Sequence, residues 1–260
     1  MQIYQQKAEI VRTEKLTDDI YRFTVMAPDI AAAAIAVQFI MVRVGENLDP
    51  LLRRPFSIHQ VSEGGLVQIL FKVIGKGTQQ IGKLQTGKCL DIFGPLGKGF
   101  TYGENEKHCL VGGGIGIAPL LFLAKQLLRK NEPSAIKVLL GARTGDEIGV
   151  LQDDFESMGL EVLAATEDGS LGQKGLVTDR MTPINEVQLK IYGCGPYPML
   201  RAVAGLCREK SWACQVSLET IMACGLGACL GCTVLQADME GYVHVCKDGP
   251  VFNADGVAWL

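Results

Sequence analysis

Histidine is scarce in this 260-residue chain: three occur, His59, His108 and His244, and they show no ligand spacing. Each is expected at a strand or surface position, and no catalytic triad or general base is assigned. Charge of one sign is also missing, because 25 Lys and Arg against 28 Asp and Glu leave a net charge of -3. Nothing in that balance calls for a nucleic acid or an anionic membrane as partner. Long hydrophobic runs are absent. The longest, residues 30–42 interrupted by Gln38, is too short to span a bilayer and is bracketed by Asp29 and Arg43, so it reads as an interior segment. The opening MQIYQQKAEIVRTE alternates polar and apolar residues and lacks the apolar core of a signal peptide. The expected location is the cytoplasm.

Glycine and cysteine, by contrast, are plentiful. Nine cysteines form an odd set, and without an export signal they do not suggest a disulfide framework. Cys89, Cys109, Cys194, Cys207 and Cys214 are scattered and read as buried thiols. Cys224, Cys229, Cys232 and Cys246 crowd into the C-terminal tail, which points to metal or redox chemistry.

The chain divides into three zones. Residues 1–102 carry short strands at regular spacing, over 7–13, 20–26, 37–44, 55–60, 66–74 and 89–93, which predict a small antiparallel β-barrel. A helical turn or two is expected over 78–84. Residues 103–218 alternate apolar runs with helical periodicity: strands over 109–111, 136–140, 161–165, 189–192 and 213–218, and helices over 117–128, 151–158 and 199–209. That rhythm predicts an α/β domain with a parallel sheet covered on both faces. Residues 219–260 have too few apolar residues for a core of their own, so something other than burial is expected to hold them.

In the barrel, the stretch RRPFSI places Arg54, Pro55, Phe56 and Ser57 in a row. Arg54 is suited to a pyrophosphate, Phe56 to stacking on a flat ring, and Ser57 to a ring nitrogen. A plain strand start with in-out alternation explains the same residues. In FKVIGKGT, Gly75 and Gly77 allow close backbone approach and Thr78 sits at an expected helix start, a phosphate-binding arrangement.

The α/β domain has its own Gly-rich turns. CLVGGGIGIAPL follows a strand and opens a helix, with Gly112, Gly113, Gly114 and Gly116 as phosphate-loop candidates and Pro119 suited to the first helical turn. IYGCGPYPML repeats the pattern with Cys194, Gly195 and Pro196. GARTGDE and ATEDGSLGQKG end two further strands on the same sheet edge, where open parallel sheets bind ligands. Arg143 is placed to meet a 2′-phosphate, while Asp146 and Glu147 discourage one, so the choice between NAD and NADP stays open. Asp146, Asp168 and Glu219 are acid–base candidates without a pairing to support them.

The tail spacing, C-x4-C-x2-C and then thirteen residues to Cys246, is the plant-type [2Fe–2S] pattern. Gly225, Gly227, Ala228 and Gly231 leave room for backbone N–H groups to turn toward the sulfurs. Structural zinc is the rival, although only Cys229 and Cys232 form a zinc-type C-x2-C knuckle. A thioredoxin-like pair lacks its strand-to-helix setting.

Taken in order, R-P-F-S, G-K-G-T, G-P-L-G-x-G-F, G-G-G-x-G-x-A-P, Y-G-C-G-P and the cysteine tail resemble the ferredoxin–NADP reductase superfamily. Within it, the chain resembles, over nearly its full length, the electron-transfer subunits of the class B dihydroorotate dehydrogenases. The resemblance implies an FAD barrel, an NAD domain and a C-terminal [2Fe–2S] domain. It puts Phe56 near the isoalloxazine, Ser57 near its N5, and Leu70, Phe71 and Lys72 beside the FAD ribose or adenine. It also puts Gly77 and Thr78 at the pyrophosphate, and frames NAD with Gly112 to Gly116 and Cys194 to Pro196. The implied partner is an FMN-containing dihydroorotate dehydrogenase subunit in a heterotetramer of two copies of each chain, with electrons flowing from dihydroorotate toward NAD+. One departure is AVQF at 36–39, where the superfamily often has Pro-Gly-Gln-Phe. Two other readings fit parts of the pattern: a subunit of an NAD(P)H–ferredoxin oxidoreductase or sulfide dehydrogenase, and a non-catalytic nucleotide-binding regulator with a zinc-stapled tail.

Overall fold

Strand β1 (Tyr4–Lys15) opens a closed antiparallel barrel in the computed structural model, which describes residues 2–45, 49–104 and 106–260. The other barrel strands are β2 (Ile20–Met26), β3 (Phe39–Val42), β4 (Arg54–Ser62), β5 (Leu66–Lys72) and β6 (Cys89–Leu96), in the spatial order β1-β2-β5-β4-β3-β6. Closure comes from β1 pairing with β6, so no barrel edge is left open. Ala8 and Ile10 are buried while Lys7 and Glu9 are exposed, the alternation of a half-buried strand. The same alternation turns Cys89 outward at the start of β6, so the expectation of a buried thiol fails there.

Helix α1 (Pro28–Ala33) takes the start of the long apolar run, where no helix is expected, and the strand expected over 37–44 forms over a shorter span as β3. Pro28 fits a first helical turn, where its missing N–H costs nothing. The remainder becomes β3, all four of whose residues are buried because both of its faces are covered. Ile40 and Val42 join the barrel core, whereas Phe39 and Met41 join a second core with residues of the cysteine tail. Each such burial contributes about 1.5–3 kcal/mol. Helix α2 (Lys76–Gly82) begins two residues earlier than expected, so Thr78 lies within its first turn rather than at its start.

The second body is a sheet of β7 (Lys107–Gly113), β8 (Ile136–Ala142), β9 (Glu161–Thr166), β10 (Gln173–Lys174), β11 (Leu189–Cys194) and β12 (Ala213–Ser217), all parallel. Helices α3 (Leu120–Leu127), α4 (Gly149–Glu156), α5 (Val177–Met181) and α6 (Tyr197–Glu209) accompany it. The strand order β10-β9-β8-β7-β11-β12 reverses direction between β7 and β11. Open α/β sheets bind ligands at the carboxyl ends of the strands at such a switch point. Here those ends are Gly112 and Gly113 on one side and Cys194 on the other.

In the tail, β13 (Thr233–Leu235) and β14 (Tyr242–His244) form a small hairpin. Strand β15 (Val251–Asn253) then pairs antiparallel with β12 and extends the parallel sheet to seven strands. Met222, Cys232, Val245 and Cys246 pack with Phe39, Met41 and Leu96 of the barrel and Leu200, Ala204 and Val216 of the α/β domain. The tail therefore does not rely on ligation alone, as its composition suggests; it borrows a core from its two neighbours. Among the described residues no helix is long and apolar enough to cross a membrane.

Candidate functional site

A cavity of about 560 Å³ opens where the barrel, the sheet edge and the tail meet. That volume is in the range of cofactor sites. Every barrel residue singled out from the sequence lines it: Arg54, Pro55, Phe56, Ser57, Leu70, Phe71, Lys72, Gly77 and Thr78. The β4–β5 arm brings them together, with Phe56 and Phe71 ring centroids 5.2 Å apart at a tilt of 56°. Gly77 leaves room for Arg54. A Cβ there would lie 2.8 Å from Arg54 Nε, so a larger residue would push the guanidinium away from the start of α2. Arg54 Nη1 also donates to the Leu52 carbonyl at 2.6 Å, which fixes its direction. The Thr78 hydroxyl is already engaged by its own loop: it accepts from the N–H groups of Ile74 (3.0 Å) and Gly75 (3.1 Å) and donates to the Gly75 carbonyl (3.0 Å). It shapes the loop rather than offering a free donor.

The far wall of this cavity was not legible in the sequence. Ser217, Leu218, Glu219, Thr220, Met222 and Pro250 form it, with Ile115 and Ala118 from the Gly-rich turn. The signal available was topological: β12 ends at the sheet edge where ligands bind, and residues 217–220 follow directly. Thr220 Oγ1 is buried with no hydrogen-bond partner among the described residues, an orphan that a bound polar ring would satisfy. Glu219 keeps an exposed edge, yet the cavity wall around its carboxyl removes enough water to raise it above its ordinary range. Cys194 is buried beside it, and burial, reinforced by the Glu219 charge, raises its thiol so that it stays neutral.

A second groove, about 440 Å³, lies on the other side of the Gly-rich turn. Gly113, Gly114 and Pro196 line it, with Gly141, Ala142, Arg143, Glu147 and Glu167 from the two strand ends expected on this edge. Gly112, Gly116, Cys194 and Gly195 do not line it. A Cβ on Gly116 would meet the Gly195 backbone at 2.5 Å, so these two glycines serve the close crossing of the two turns. The turn thus divides its work: Gly113 and Gly114 face the groove, while Ile115 and Ala118 face the cavity. Lys72 borders both.

The four tail cysteines fall into two pairs. Cys232 and Cys246 Sγ atoms are 3.2 Å apart, and the Cys229 N–H donates to Cys224 Sγ at 3.4 Å. Further donors turn inward: Leu226 N to Cys224 Sγ (3.3 Å), Gly227 N to Cys246 Sγ (3.1 Å) and Cys246 N to Cys232 Sγ (3.5 Å). Gly225, Gly227 and Leu230 have positive φ, which is how the loop directs its N–H groups at the sulfurs. Burial pushes the Cys224 thiol up, but the Leu226 and Cys229 N–H groups outweigh it and bring it down to about 6. Burial and then Cys232 push Cys246 up to about 12. Among the described residues no three His, Cys, Asp or Glu side chains are grouped to hold one ion. Two thiolate pairs ringed by N–H donors suit two bridged irons, each taking one pair, and suit a single tetrahedral zinc poorly.

Cavity and cysteines share packing. Phe39 and Met222 line the cavity and also belong to the core that contains Cys232 and Cys246.

Three family models match the chain. "Oxidoreductase FAD-binding domain" covers residues 7–102, "Oxidoreductase NAD-binding domain" residues 110–205, and "Iron-sulfur cluster binding domain of dihydroorotate dehydrogenase B" residues 219–258. The chain is 40% identical to the dihydroorotate dehydrogenase B (NAD(+)), electron transfer subunit, of Desulforamulus reducens, over 97% of each chain. It is 38% identical to that of Caldanaerobacter subterraneus, over 98% of each. Among solved structures, that of an NADH-dependent reduced ferredoxin–NADP oxidoreductase, described for flavin-based electron bifurcation, matches with TM-score 0.86 at 32% identity, covering 97% of this chain and 90% of that one.

Proposed function

This chain belongs to the family of dihydroorotate dehydrogenase B (NAD(+)) electron transfer subunits, and from that premise we propose that it passes electrons between an FMN-containing catalytic subunit and NAD+ in pyrimidine biosynthesis. The route runs through a [2Fe–2S] cluster and FAD. The observation that carries this reading is the shared wall: the 560 Å³ cavity touches the nucleotide groove at Lys72 and the cysteine tail at Phe39 and Met222.

Each zone has a part. The barrel, 1–102, holds FAD, with Arg54 and Gly77 at the pyrophosphate and Phe56 and Ser57 at the flavin ring. Residues 103–218 hold NAD in the groove beside Gly113, Gly114 and Pro196. Residues 219–260 hold the cluster on Cys224, Cys229, Cys232 and Cys246. When bound, FAD exchanges a hydride with the nicotinamide and single electrons with the cluster. The protein's share is positioning. The Gly-rich turn contributes to both ligand sites, with Ile115 and Ala118 on one and Gly113 and Gly114 on the other, the N–H groups of Leu226, Gly227, Cys229 and Cys246 offset the negative charge on the sulfurs, and the apolar wall of Phe39 and Met222 keeps water from the path. No side chain is needed as acid or base for hydride exchange itself.

The cluster face is where the catalytic subunit docks in this reading. Cys229 is exposed there, and Ile221, Leu226 and Leu230 leave 88%, 49% and 56% of their surface open, an apolar patch around the electron exit. The assembly is a heterotetramer of two copies of each chain. A second reading, a subunit of a ferredoxin–NADP oxidoreductase, is favoured by the TM-score of 0.86 to such an enzyme. Co-purification with the cellular partner, followed by an assay of dihydroorotate-dependent NAD+ reduction, separates the two. Activity with dihydroorotate is expected; a tight FMN-containing partner without it overturns the first reading and leaves the cofactor assignments standing.

A further inference from the structure

Both cations at the rim of the nucleotide groove belong to one carboxylate. Lys72 Nζ and Arg143 Nη2 each lie 2.8 Å from Glu147 Oε1, and the Arg143 backbone N–H donates to Glu147 Oε2 at 3.2 Å. Asp19 takes a further share of Lys72 at 3.3 Å. Glu147 is the well-shielded member, with 15% of its side chain exposed against 69% for Arg143. It is therefore the fixed point to which the mobile guanidinium is tied. Glu167 adds a second carboxylate to the groove lining, and its charge also acts on Arg143. Asp146, next to Glu147 in sequence, does not line the groove.

The two nicotinamide dinucleotides differ by one phosphate on the adenosine ribose, and a phosphate monoester carries about two negative charges at neutral pH. A site that accepts it needs an uncommitted cation, best an Arg fork. Sequence alone leaves Arg143 available for that task. The geometry withdraws it: the charged groups of the lining, Lys72 and Arg143 against Glu147 and Glu167, sum to zero, and the positive pair is already engaged.

We propose that Glu147 is a specificity-determining residue that makes the groove select NAD over NADP, by committing Arg143 and Lys72 to ion pairs and leaving a 2′-phosphate to face carboxylates. The proposal rests on the reading of this groove as the dinucleotide site. It also gives Glu147 a second consequence. Because Lys72 stands on the barrel and borders the flavin cavity, the same carboxylate that filters the nucleotide ties the two halves of the hydride site together.

The test uses the full-length, FAD-loaded chain and titration calorimetry with NAD+ and NADP+, which bind without reducing the flavin. Glu147→Gln keeps the shape and removes the charge. It is expected to raise NADP+ affinity relative to NAD+ by about tenfold, the factor that one charge-assisted hydrogen bond supplies. Adding Arg143→Ala to that variant is expected to abolish the gain. Arg143→Ala alone, at an exposed position that leaves folding intact, is expected to keep the affinity ratio within about twofold of wild type, because the side chain is already engaged. An unchanged ratio in a Glu147→Gln protein with full FAD content overturns the proposal. So does selective loss of NADP+ binding in Arg143→Ala, which remains decisive if Glu147→Gln fails to fold. Wild-type protein that holds FAD but binds neither dinucleotide overturns the underlying reading instead, and the proposal with it.

Discussion

His59 Nδ1 and the carbonyl oxygen of Ala118 are 2.6 Å apart, and that single bond joins barrel strand β4 to the Gly-rich turn between the two ligand sites. Ala118 lines the 560 Å³ cavity, and Gly113 and Gly114 of the same turn line the 440 Å³ groove. His59 itself is 1% exposed, and its Nε2 has no partner among the described residues. The neutral ring donates from Nδ1 and leaves Nε2 as a bare acceptor; the charged ring would bury an unsatisfied N–H.

Burial lowers the His59 pKa to about 4 from an ordinary 6.5, although the Ala118 carbonyl works in the opposite direction. The unfolded chain therefore takes up the proton first as pH falls. Stability from this group is complete above pH 6.5 and is lost on the way down to about pH 4, a total of about 3 kcal/mol. His59→Asn keeps a donor near Nδ1 and does not titrate. Thermal melts across that window are expected to fall more steeply for wild type than for the variant. Parallel curves would remove His59 as the source.

At Gly225 the constraint is steric and conformational together. Its φ is +73°, and a Cβ would lie 2.8 Å from Met41 Cγ on β3. An L-residue there costs about 1–2 kcal/mol in backbone strain alone. Gly225→Ala is expected to reduce iron and acid-labile sulfide per chain while FAD content stays at the wild-type level. Cys229→Ser is expected to abolish the cluster absorbance yet leave bound FAD reducible by NADH. Undiminished iron in the second variant would show that Cys229 is not a ligand.

Thr220 Oγ1, buried and unpaired in the cavity wall, gives a test of the flavin's position. Thr220→Val removes the hydroxyl and keeps the shape. If the hydroxyl serves the bound ring, FAD affinity falls about fivefold to tenfold, the worth of one hydrogen bond of about 1 kcal/mol. Reconstitution of flavin-stripped protein with FAD measures this directly. Equal affinity with a higher melting temperature is the outcome that assigns Thr220 no part in binding.

Val37 breaks a local rule. It is 1% exposed and has φ +73°, a region that β-branched residues almost never adopt. The position falls in AVQF, where the superfamily often has glycine. Ala at 37 would lose packing and keep the strain, whereas Gly would lose packing and release it. Val37→Gly is therefore expected to melt no lower than Val37→Ala, the reverse of the ordinary order, by about 1 kcal/mol. Differential scanning calorimetry of the two variants checks the order.

These particulars also show what was legible beforehand. Strand β2 and the β4–β5 residues were readable because alternation and the R-P-F-S stretch are local signals. The grouping of the four tail cysteines was readable because their spacing is written in the chain, and the fold brings them together in two pairs. Helix α1 was not, because its six residues, three of them alanine, are too few to show a helical period, whereas β3 falls inside the strand expected over 37–44. Nor was the far wall of the cavity at Ser217 to Thr220, since those residues gain their meaning from where β12 ends. Arg143 is the sharpest case. Its charge was visible, but its engagement by Glu147 required the two side chains to be placed.

Strand β15 completes a sheet whose first strand begins at Lys107, and this makes the cysteine tail a poor candidate for transplantation. A cassette must close its own edges before it can be moved. Cut after Leu218, the chain would leave β12 with an open row of backbone donors and acceptors and Phe39 and Met41 turned toward water. The shortened protein would inherit a sticky rim rather than a clean flavoprotein. Engineers seeking to rewire this path to a new acceptor have more freedom at Ile221, Leu226 and Leu230, which belong to the outside world, than at the junction itself.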